Sequence, residues 1–144
     1  MIARCDDMIE KEIEKVYKSC ESFDPYIISK NKQIDILKYP LDLETCGLSV
    51  RNNRYSTIII NDNIDENLQE FTLCHELGHS VLHKNINTPF MRTTGAPSSV
   101  SKIESEAHQF AFKLLRFHYE ELQYMTKEDI LNYYSLPLWM ERFL

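Results

Sequence analysis

Hydrophobic residues recur with two different periods along the chain, and the change of period separates extended from helical stretches. Near the start, "DDMIEKEIEKVYKSC" spaces its apolar residues three or four apart among acids and lysines, which predicts an amphipathic helix over residues 3–22. "QIDILKYP", "CGLSVRN" and "RYSTIIIN" are rich in β-branched and aromatic residues and predict three strands over about residues 33–61. Asn52 and Asn53 suit a tight hairpin turn, so the second and third strands are expected to be antiparallel.

The helical period returns in the second half of the chain. Asn63 or Asp65 can cap a helix over about residues 65–83, where apolar and histidine positions again recur three or four apart. "SKIESEAHQFAFKLLRF" has the same spacing and predicts a second helix over about residues 100–117. A capping-box pattern in "TKED" introduces short C-terminal helices over about residues 126–143.

This order of elements predicts an α+β fold in a single domain over residues 1–144. With three glycines, five prolines and no repeat or low-complexity segment, the chain offers no flexible linker. We expect a small antiparallel three-stranded sheet that packs against the helices over about residues 65–83 and 100–117. N-terminal and C-terminal helices flank this unit.

Charge and cysteine content narrow the classes of function. The net charge is −6 and the lysines and arginines are dispersed, which disfavours direct nucleic-acid binding and favours a protein partner. No apolar run approaches the roughly 18 residues of a membrane span, and the N-terminus is charged, so we expect a cytoplasmic chain without membrane association. The four cysteines form no CxxC pair and are expected to remain thiols.

The segment "FTLCHELGHSVLH" contains an HExxH motif. His75 and His79 lie about 40° apart around a helix axis and one turn apart along it, so both imidazoles can reach one metal ion. Glu76 is rotated by about 100° from His75, which keeps it from ligating but allows it to accept a proton from a nearby water. Gly78 costs a helix roughly 0.8–1.0 kcal/mol relative to alanine and predicts close approach of another element. The alternative is a chance motif whose histidines are ordinary polar groups.

A catalytic zinc takes three protein ligands and keeps an open position, so a third ligand is expected downstream. In "IESEAHQFAFKLL", Glu104 and His108 share one side of the predicted helix with two alanines that allow close approach to the motif helix. Glu104 is therefore the expected third ligand. Glu106 lies about 200° from Glu104 around the axis and is expected to face solvent.

Three further residues near the motif have more ordinary expected roles. His108 could orient the Glu104 carboxylate, approach the metal pocket itself or serve as a polar contact between helices, and the orienting role is favoured. His83 lies roughly 12 Å along the axis from His75, too far to share the ion, and is expected to interact with the helix C-terminus. Cys74 points about 100° away from His75 and is expected to be a buried structural thiol.

Together, "HELGHSVLH" and "ESEAHQFAFKLL" resemble the ImmA/IrrE family of bacterial and phage metallopeptidases, and the resemblance covers most of the chain. It implies a zincin-like fold and a gluzincin-type protease that cuts a helix-turn-helix repressor of a phage or mobile element. It also implies His75, His79 and Glu104 as ligands of one Zn²⁺ per chain, with Glu76 as the base. Such a donor set tolerates several metals, Mn²⁺ among them.

The sequence departs from the family pattern at two places. His108 stands where the family often has Asn or Asp, and Arg116-Phe117 stands where a proline often follows the paired leucines. An additional oxyanion donor is expected, with His108 and Tyr55 as candidates. The strand "YSTIIIN" could either present an edge on which an extended substrate pairs or be buried by packing.

The leading functional hypothesis is a zinc-dependent, site-specific endopeptidase that acts as an anti-repressor. The alternative is a metal-stabilised anti-repressor that binds the same repressor without cleaving it. Glu76 favours the enzyme, because a structural zinc site needs no base and usually has four protein ligands. A metal or redox sensor built on Cys74 would need a second thiol at ligand spacing, which the sequence lacks.

Overall fold

The computed structural model describes residues 4–52, 54–84, 89–91, 97 and 99–144, with side chains described from residue 8 onward. Among the described residues, the α-helices are α1 (Arg4–Cys20), α2 (Pro25–Asn31), α3 (Glu66–Leu82), α4 (Lys102–His118) and α5 (Lys127–Tyr133). The strands are β1 (Ile34–Tyr39), β2 (Thr45–Asn52), β3 (Tyr55–Asn61) and β4 (Phe90–Met91). Short 3-10 helices span Glu120–Tyr124 and Leu138–Phe143. No helix in these ranges is long and apolar enough to cross a membrane.

The strands form a four-stranded mixed sheet in the order β1-β3-β2-β4. β2 runs antiparallel to β3, as predicted, while β1 runs parallel to β3. Asn53, half of the predicted hairpin turn, lies outside the described residues. The α+β class is as expected, but the expectation of three antiparallel strands is wrong. The period-2 pattern of a strand is the same in either direction, and the two residues of β4 are too few to establish a period.

The position of β3, the strand "YSTIIIN", shows whether it has a free edge on which a substrate could pair. β3 lies between β1 and β2, so both of its edges pair within the sheet and the substrate-edge alternative is wrong. Its C-terminal half is buried at Ile58 and Ile60. In the described sheet, the terminal strands are β1 and β4.

A buried asparagine ties the end of β3 to the start of β2. The side-chain Nδ2 of Asn61 donates to the backbone oxygens of Asp42 and Thr45 at 2.8 and 2.9 Å. Its Oδ1 accepts from the backbone nitrogens of Leu41 and Asn63 at 3.0 and 2.9 Å. Both ends of the amide are therefore satisfied, which fixes the connection that leads into β2.

Helix α3 is buried along most of its length, because α4 covers one side and β2 and β3 cover another. A Cβ added to Gly78 would lie 3.1 Å from the Phe110 Cβ of α4, so the predicted close approach at Gly78 is confirmed. On the sheet side, a Cβ on Gly47 would lie 2.6 Å from Thr72 Cγ2 and 2.8 Å from the Ile59 oxygen. Both glycines allow neighbours to approach α3 closely.

Side-chain caps set where the later helices begin. The Ser101 hydroxyl accepts from the backbone nitrogen of Glu104 at 3.2 Å, which starts α4 and places Glu104 in its first turn. The Thr126 hydroxyl accepts from the backbone nitrogen of Asp129 at 3.1 Å and starts α5, so the predicted capping pattern is confirmed.

Candidate metal centre

Three of the sequence-predicted site residues converge at the contact between α3 and α4. The Nε2 atoms of His75 and His79 lie 3.2 Å apart. Glu104 faces both rings, with Oε1 3.2 Å from His75 Nε2 and Oε2 3.0 Å from His79 Nε2. The one-turn spacing of the motif and the first-turn position of Glu104 together produce this meeting of two nitrogens and one carboxylate.

The spacing of these atoms fits a metal ion. Ligands about 2.0–2.1 Å from a tetrahedral zinc lie roughly 3.3 Å from one another, close to the three separations in this cluster. His75 and His79 are 0% and 1% exposed, so their converging nitrogens are shielded from bulk water. Two imidazoles and a carboxylate are also a preferred donor set for zinc. The residues present therefore fit the metal that the sequence motif implies.

His108 joins this group more closely than its expected orienting role requires. Ligand atoms of His75, Glu104 and His108 all lie within 4.8 Å of one another. The His108 and His75 ring centroids are 4.6 Å apart. Burial, followed by repulsion from His75, holds the pKa of His108 well below its usual range and keeps the ring neutral. Of the three alternatives for His108, the geometry favours approach to the metal pocket.

Glu76 lies on the sheet side of α3 and is fully buried. Its Oε1 accepts from Ser49 Oγ of β2 at 2.6 Å, while Oε2 is buried without a hydrogen-bond partner among the described residues. Burial raises the pKa of Glu76, although the charge of His75 and the Ser49 hydrogen bond lower it. One carboxylate oxygen is thus held in place and the other remains available.

Ser49 was missed by sequence reasoning. It lies in the middle of β2, opposite Ile58 of β3. No local pattern distinguishes a serine that reaches a neighbouring helix from one that faces solvent. Only the packing of β2 against α3 reveals its contact with Glu76.

Glu104 is the part of the centre that is open to solvent, with a side chain 22% exposed. Burial alone would raise the pKa of this carboxyl, but hydrogen bonds from His75 and His79 outweigh burial and hold the pKa well below its usual range. Glu104 is therefore an ionised carboxylate at neutral pH. An ionised carboxylate is the form that binds a metal.

Glu106 does not face solvent, so that prediction is wrong. It is 8% exposed, and its Oε1 lies 2.8 Å from His83 Nε2. A helix with one narrow buried face would expose Glu106, whereas α4 is buried across most of its circumference between residues 106 and 115. His83 follows the last residue of α3 with a backbone conformation that is no longer helical, and its ring contacts Glu106 of α4.

His83 makes two kinds of contact. Its backbone nitrogen donates to the His79 oxygen at 2.7 Å at the end of α3, while the expected interaction of its side chain with the helix C-terminus stays a prediction. The sequence did not reveal that its ring Nδ1 also lies 3.2 Å from His79 Nδ1. His83 therefore stands between His79 and Glu106.

Cys74 is 0% exposed, and burial raises the pKa of its thiol well above its usual value. A neutral buried thiol is a poor nucleophile and a poor metal ligand. This environment supports the structural role expected for Cys74. Cys20 and Cys74 are free thiols.

A cavity of about 490 Å³ adjoins the open side of the centre, where Glu104 and His108 line it. Most of the remaining lining is apolar and includes Phe90, Met91, Val100, Leu136, Trp139 and Met140. A second cavity, of about 270 Å³, is lined by His79 and His83 together with basic side chains such as Lys32, Arg51 and Arg54. The metal centre thus adjoins one apolar and one basic cavity.

An HExxH helix completed by a carboxylate from a second helix is the arrangement typical of metal-dependent peptidases. The chain belongs to the M78 peptidase family, whose model, described as an IrrE N-terminal-like domain, matches residues 29–143. The resemblance to the ImmA/IrrE family drawn from the motifs is confirmed.

Two relatives carry informative names. The chain is 32% identical over 125 residues to "Uncharacterized immunity region protein 2" of Bacillus phage phi105, a match that covers 87% of this chain and 78% of the relative. It is also 32% identical over 137 residues to "Metallopeptidase ImmA" of Bacillus subtilis strain 168, which covers 90% of this chain and 79% of that protein. The relatives therefore include a phage protein named for an immunity region and a metallopeptidase.

Proposed function

We propose that this chain is a zinc-dependent endopeptidase that cleaves a helix-turn-helix repressor of a phage or mobile element and so acts as an anti-repressor. The observation that carries the proposal is Glu76, a fully buried carboxylate close enough to His75, His79 and Glu104 for their charges to shift its pKa. A site built only for structural metal binding has no use for such a base. The phage immunity relative supports a repressor as the substrate.

The chemistry divides between the metal and Glu76. A zinc ion held by His75, His79 and Glu104 supplies Lewis-acid chemistry that lowers the pKa of a water and polarises the scissile carbonyl. Glu76 Oε2 accepts a proton from the attacking water, because Ser49 already donates to Oε1. As the C–N bond breaks, Glu76 returns that proton to the leaving nitrogen, and the carboxylate is regenerated.

The neighbouring cavity supplies a place for the substrate. Its apolar lining suits a large apolar side chain next to the scissile bond. β4 is a terminal strand of the described sheet, and its Phe90 ring stacks on His75 with centroids 4.6 Å apart. An extended repressor segment that pairs along β4 would carry its peptide bond past the metal ligands.

The test compares wild-type protein with Glu76→Gln on a helix-turn-helix repressor, which is to be sought first in the reading frames next to the gene. Wild-type protein is expected to convert the repressor to discrete fragments, and a chelator should stop the reaction. Glu76→Gln is expected to keep its metal and its affinity for the repressor but to lose at least about 10²–10⁴-fold in cleavage rate. Fragments resolved on a gel, with metal content measured by mass spectrometry, give both readouts.

Glu128→Gln is the matched control. It makes the same chemical change as Glu76→Gln, but at an exposed residue of α5 that lies outside the centre. It should cleave at the wild-type rate. If wild-type protein and Glu76→Gln relieve repression equally while the repressor stays intact, cleavage is refuted and binding without cleavage replaces it.

A further inference from the structure

A series of side-chain contacts connects His79 of the metal centre to Glu106 of α4 through His83. His79 turns Nε2 toward Glu104 and Nδ1 toward His83, where the two Nδ1 atoms are 3.2 Å apart. His83 in turn places Nε2 2.8 Å from Glu106 Oε1. The side chains of His83 and Glu106 are only 9% and 10% exposed, so water competes weakly for these contacts. We propose that His83 and Glu106 are positioning residues that fix His79 for metal binding.

The proposal rests on His79 being a metal ligand, as proposed above, and the tautomers then follow. A ligating Nε2 must present its lone pair, so the proton of a neutral His79 is on Nδ1. His79 Nδ1–H can donate to His83 only if His83 Nδ1 is unprotonated. The proton of His83 is then on Nε2, where it donates to the Glu106 carboxylate. Each ring nitrogen along the chain has one consistent role.

The two proposed histidine ligands differ in whether Nδ1, the ring nitrogen that faces away from the metal site, has a hydrogen-bond partner. His75 Nδ1 is buried and has no hydrogen-bond partner among the described residues. His79 is therefore the ligand whose ring orientation is set by a carboxylate, through an intervening histidine. Metal-ligating histidines commonly donate their second N–H directly to a carboxylate or carbonyl. In this chain an additional histidine extends that connection from α3 to α4.

A purely structural role makes a different prediction. If the His83 and Glu106 pair only joined the end of α3 to α4, its loss would lower thermal stability without a specific effect on metal affinity. Loss of a residue that orients a ligand typically weakens metal binding by 10–100-fold. Metal affinity measured on folded protein separates the two roles.

The experiment measures the Kd for Zn²⁺ by competition with a chromophoric chelator, with circular dichroism as the check on folding. Glu106→Ala and His83→Phe are each expected to weaken binding by about 10–100-fold. Glu106→Gln keeps an oxygen acceptor for His83 but loses the charge, so its effect should be smaller. The double variant should bind about as weakly as either single variant, because both act through one chain of contacts. His118→Ala and Glu121→Gln, which change the same residue types elsewhere, should bind like wild-type protein.

A second measurement does not depend on affinity. Long-range ¹H–¹⁵N correlation spectra of the metal-loaded protein should show the His83 proton on Nε2. A proton on His83 Nδ1, or a wild-type Kd in folded Glu106→Ala, would overturn the positioning role and leave the metal centre intact. Wild-type protein that binds no Zn²⁺ would instead overturn the metal centre of the proposed function, and the positioning role with it.

Discussion

The two sides of the metal centre differ in their access to water. On the sheet side, Glu76 is fully buried against β2 and receives a hydrogen bond from Ser49. On the α4 side, Glu104 is 22% exposed and lines the larger cavity with His108. The sheet side is therefore closed at Glu76, although the basic cavity reaches Ser49 and His79, and the α4 side is open at Glu104.

This difference suits hydrolysis of a peptide. The proposed base, Glu76, is kept where bulk water cannot solvate it, and the cavity on the open side leaves a path to Glu104 and His108. The pKa values of the two carboxylates are shifted in opposite directions. Burial raises the pKa of Glu76, whereas the imidazoles of His75 and His79 outweigh burial and lower the pKa of Glu104. Each side can be disturbed separately.

The largest effect is expected from removing the open-side carboxylate. Glu104→Ala takes away one of three proposed ligands, and the purified protein should lose nearly all bound Zn²⁺, measured as metal per chain by mass spectrometry. Glu120→Ala, which removes an exposed carboxylate outside the centre, should retain about one metal ion per chain. A full complement of metal in Glu104→Ala would show that His108 or another group completes the ligand set.

A smaller effect is expected from crowding the closed side. A Cβ at Gly47 would lie 2.8 Å from the backbone oxygen of Ile59, which cannot move without disturbing β3. Gly47→Ala should therefore lower the free energy of unfolding by about 1–3 kcal/mol in urea titrations.

Gly78→Ala is the matched comparison. Its Cβ would lie 3.1 Å from Phe110 Cβ, which is tight but requires a displacement of only a few tenths of an ångström. The alanine also gains about 0.8–1.0 kcal/mol of helix propensity, which offsets part of the crowding. An equal loss of stability in Gly47→Ala and Gly78→Ala would contradict this account.

The smallest effect is expected at Ser49. Ser49→Ala removes the hydroxyl that donates to Glu76 but leaves the base itself, so repressor cleavage should slow by roughly tenfold. Bound metal should be unchanged. Ser19→Ala, which removes a side-chain hydrogen bond to Asn31 on the helical surface, should leave the rate unchanged. A Ser49→Ala rate equal to wild-type would remove Ser49 from the catalytic arrangement.

Helical spacing predicted that His75, His79 and Glu104 meet, but it gave the wrong surroundings for Glu106. The meeting of His75 and His79 follows from a four-residue spacing, and the choice of Glu104 follows from the small residues on its side of α4. The contact between His83 and Glu106 depends on how α3 and α4 cross and on the non-helical backbone of His83 after α3. Neither property is encoded in the period of one segment.

In the sheet, too, the pairing of neighbouring strands was predictable and the pairing of strands farther apart in the sequence was not. The hairpin of β2 and β3 is local, and its antiparallel pairing was predicted from two asparagines. The parallel pairing of β1 with β3 joins segments that are distant in sequence, and it depends on which edge of the hairpin remains open after β2 pairs. Alternation of side chains carries no information about that choice.

The central position of β3 also has a consequence for the order of folding. β2 and β3 are joined by a short connection. In the pairing of β1 with β3, Ile34 lies opposite Ser56 and Tyr39 lies opposite Asn61, so the paired residues are much farther apart in the sequence. Local contacts form sooner because less loop-closure entropy opposes them. The β2–β3 hairpin is therefore expected to nucleate the sheet, and β1 to dock in the late phase of refolding.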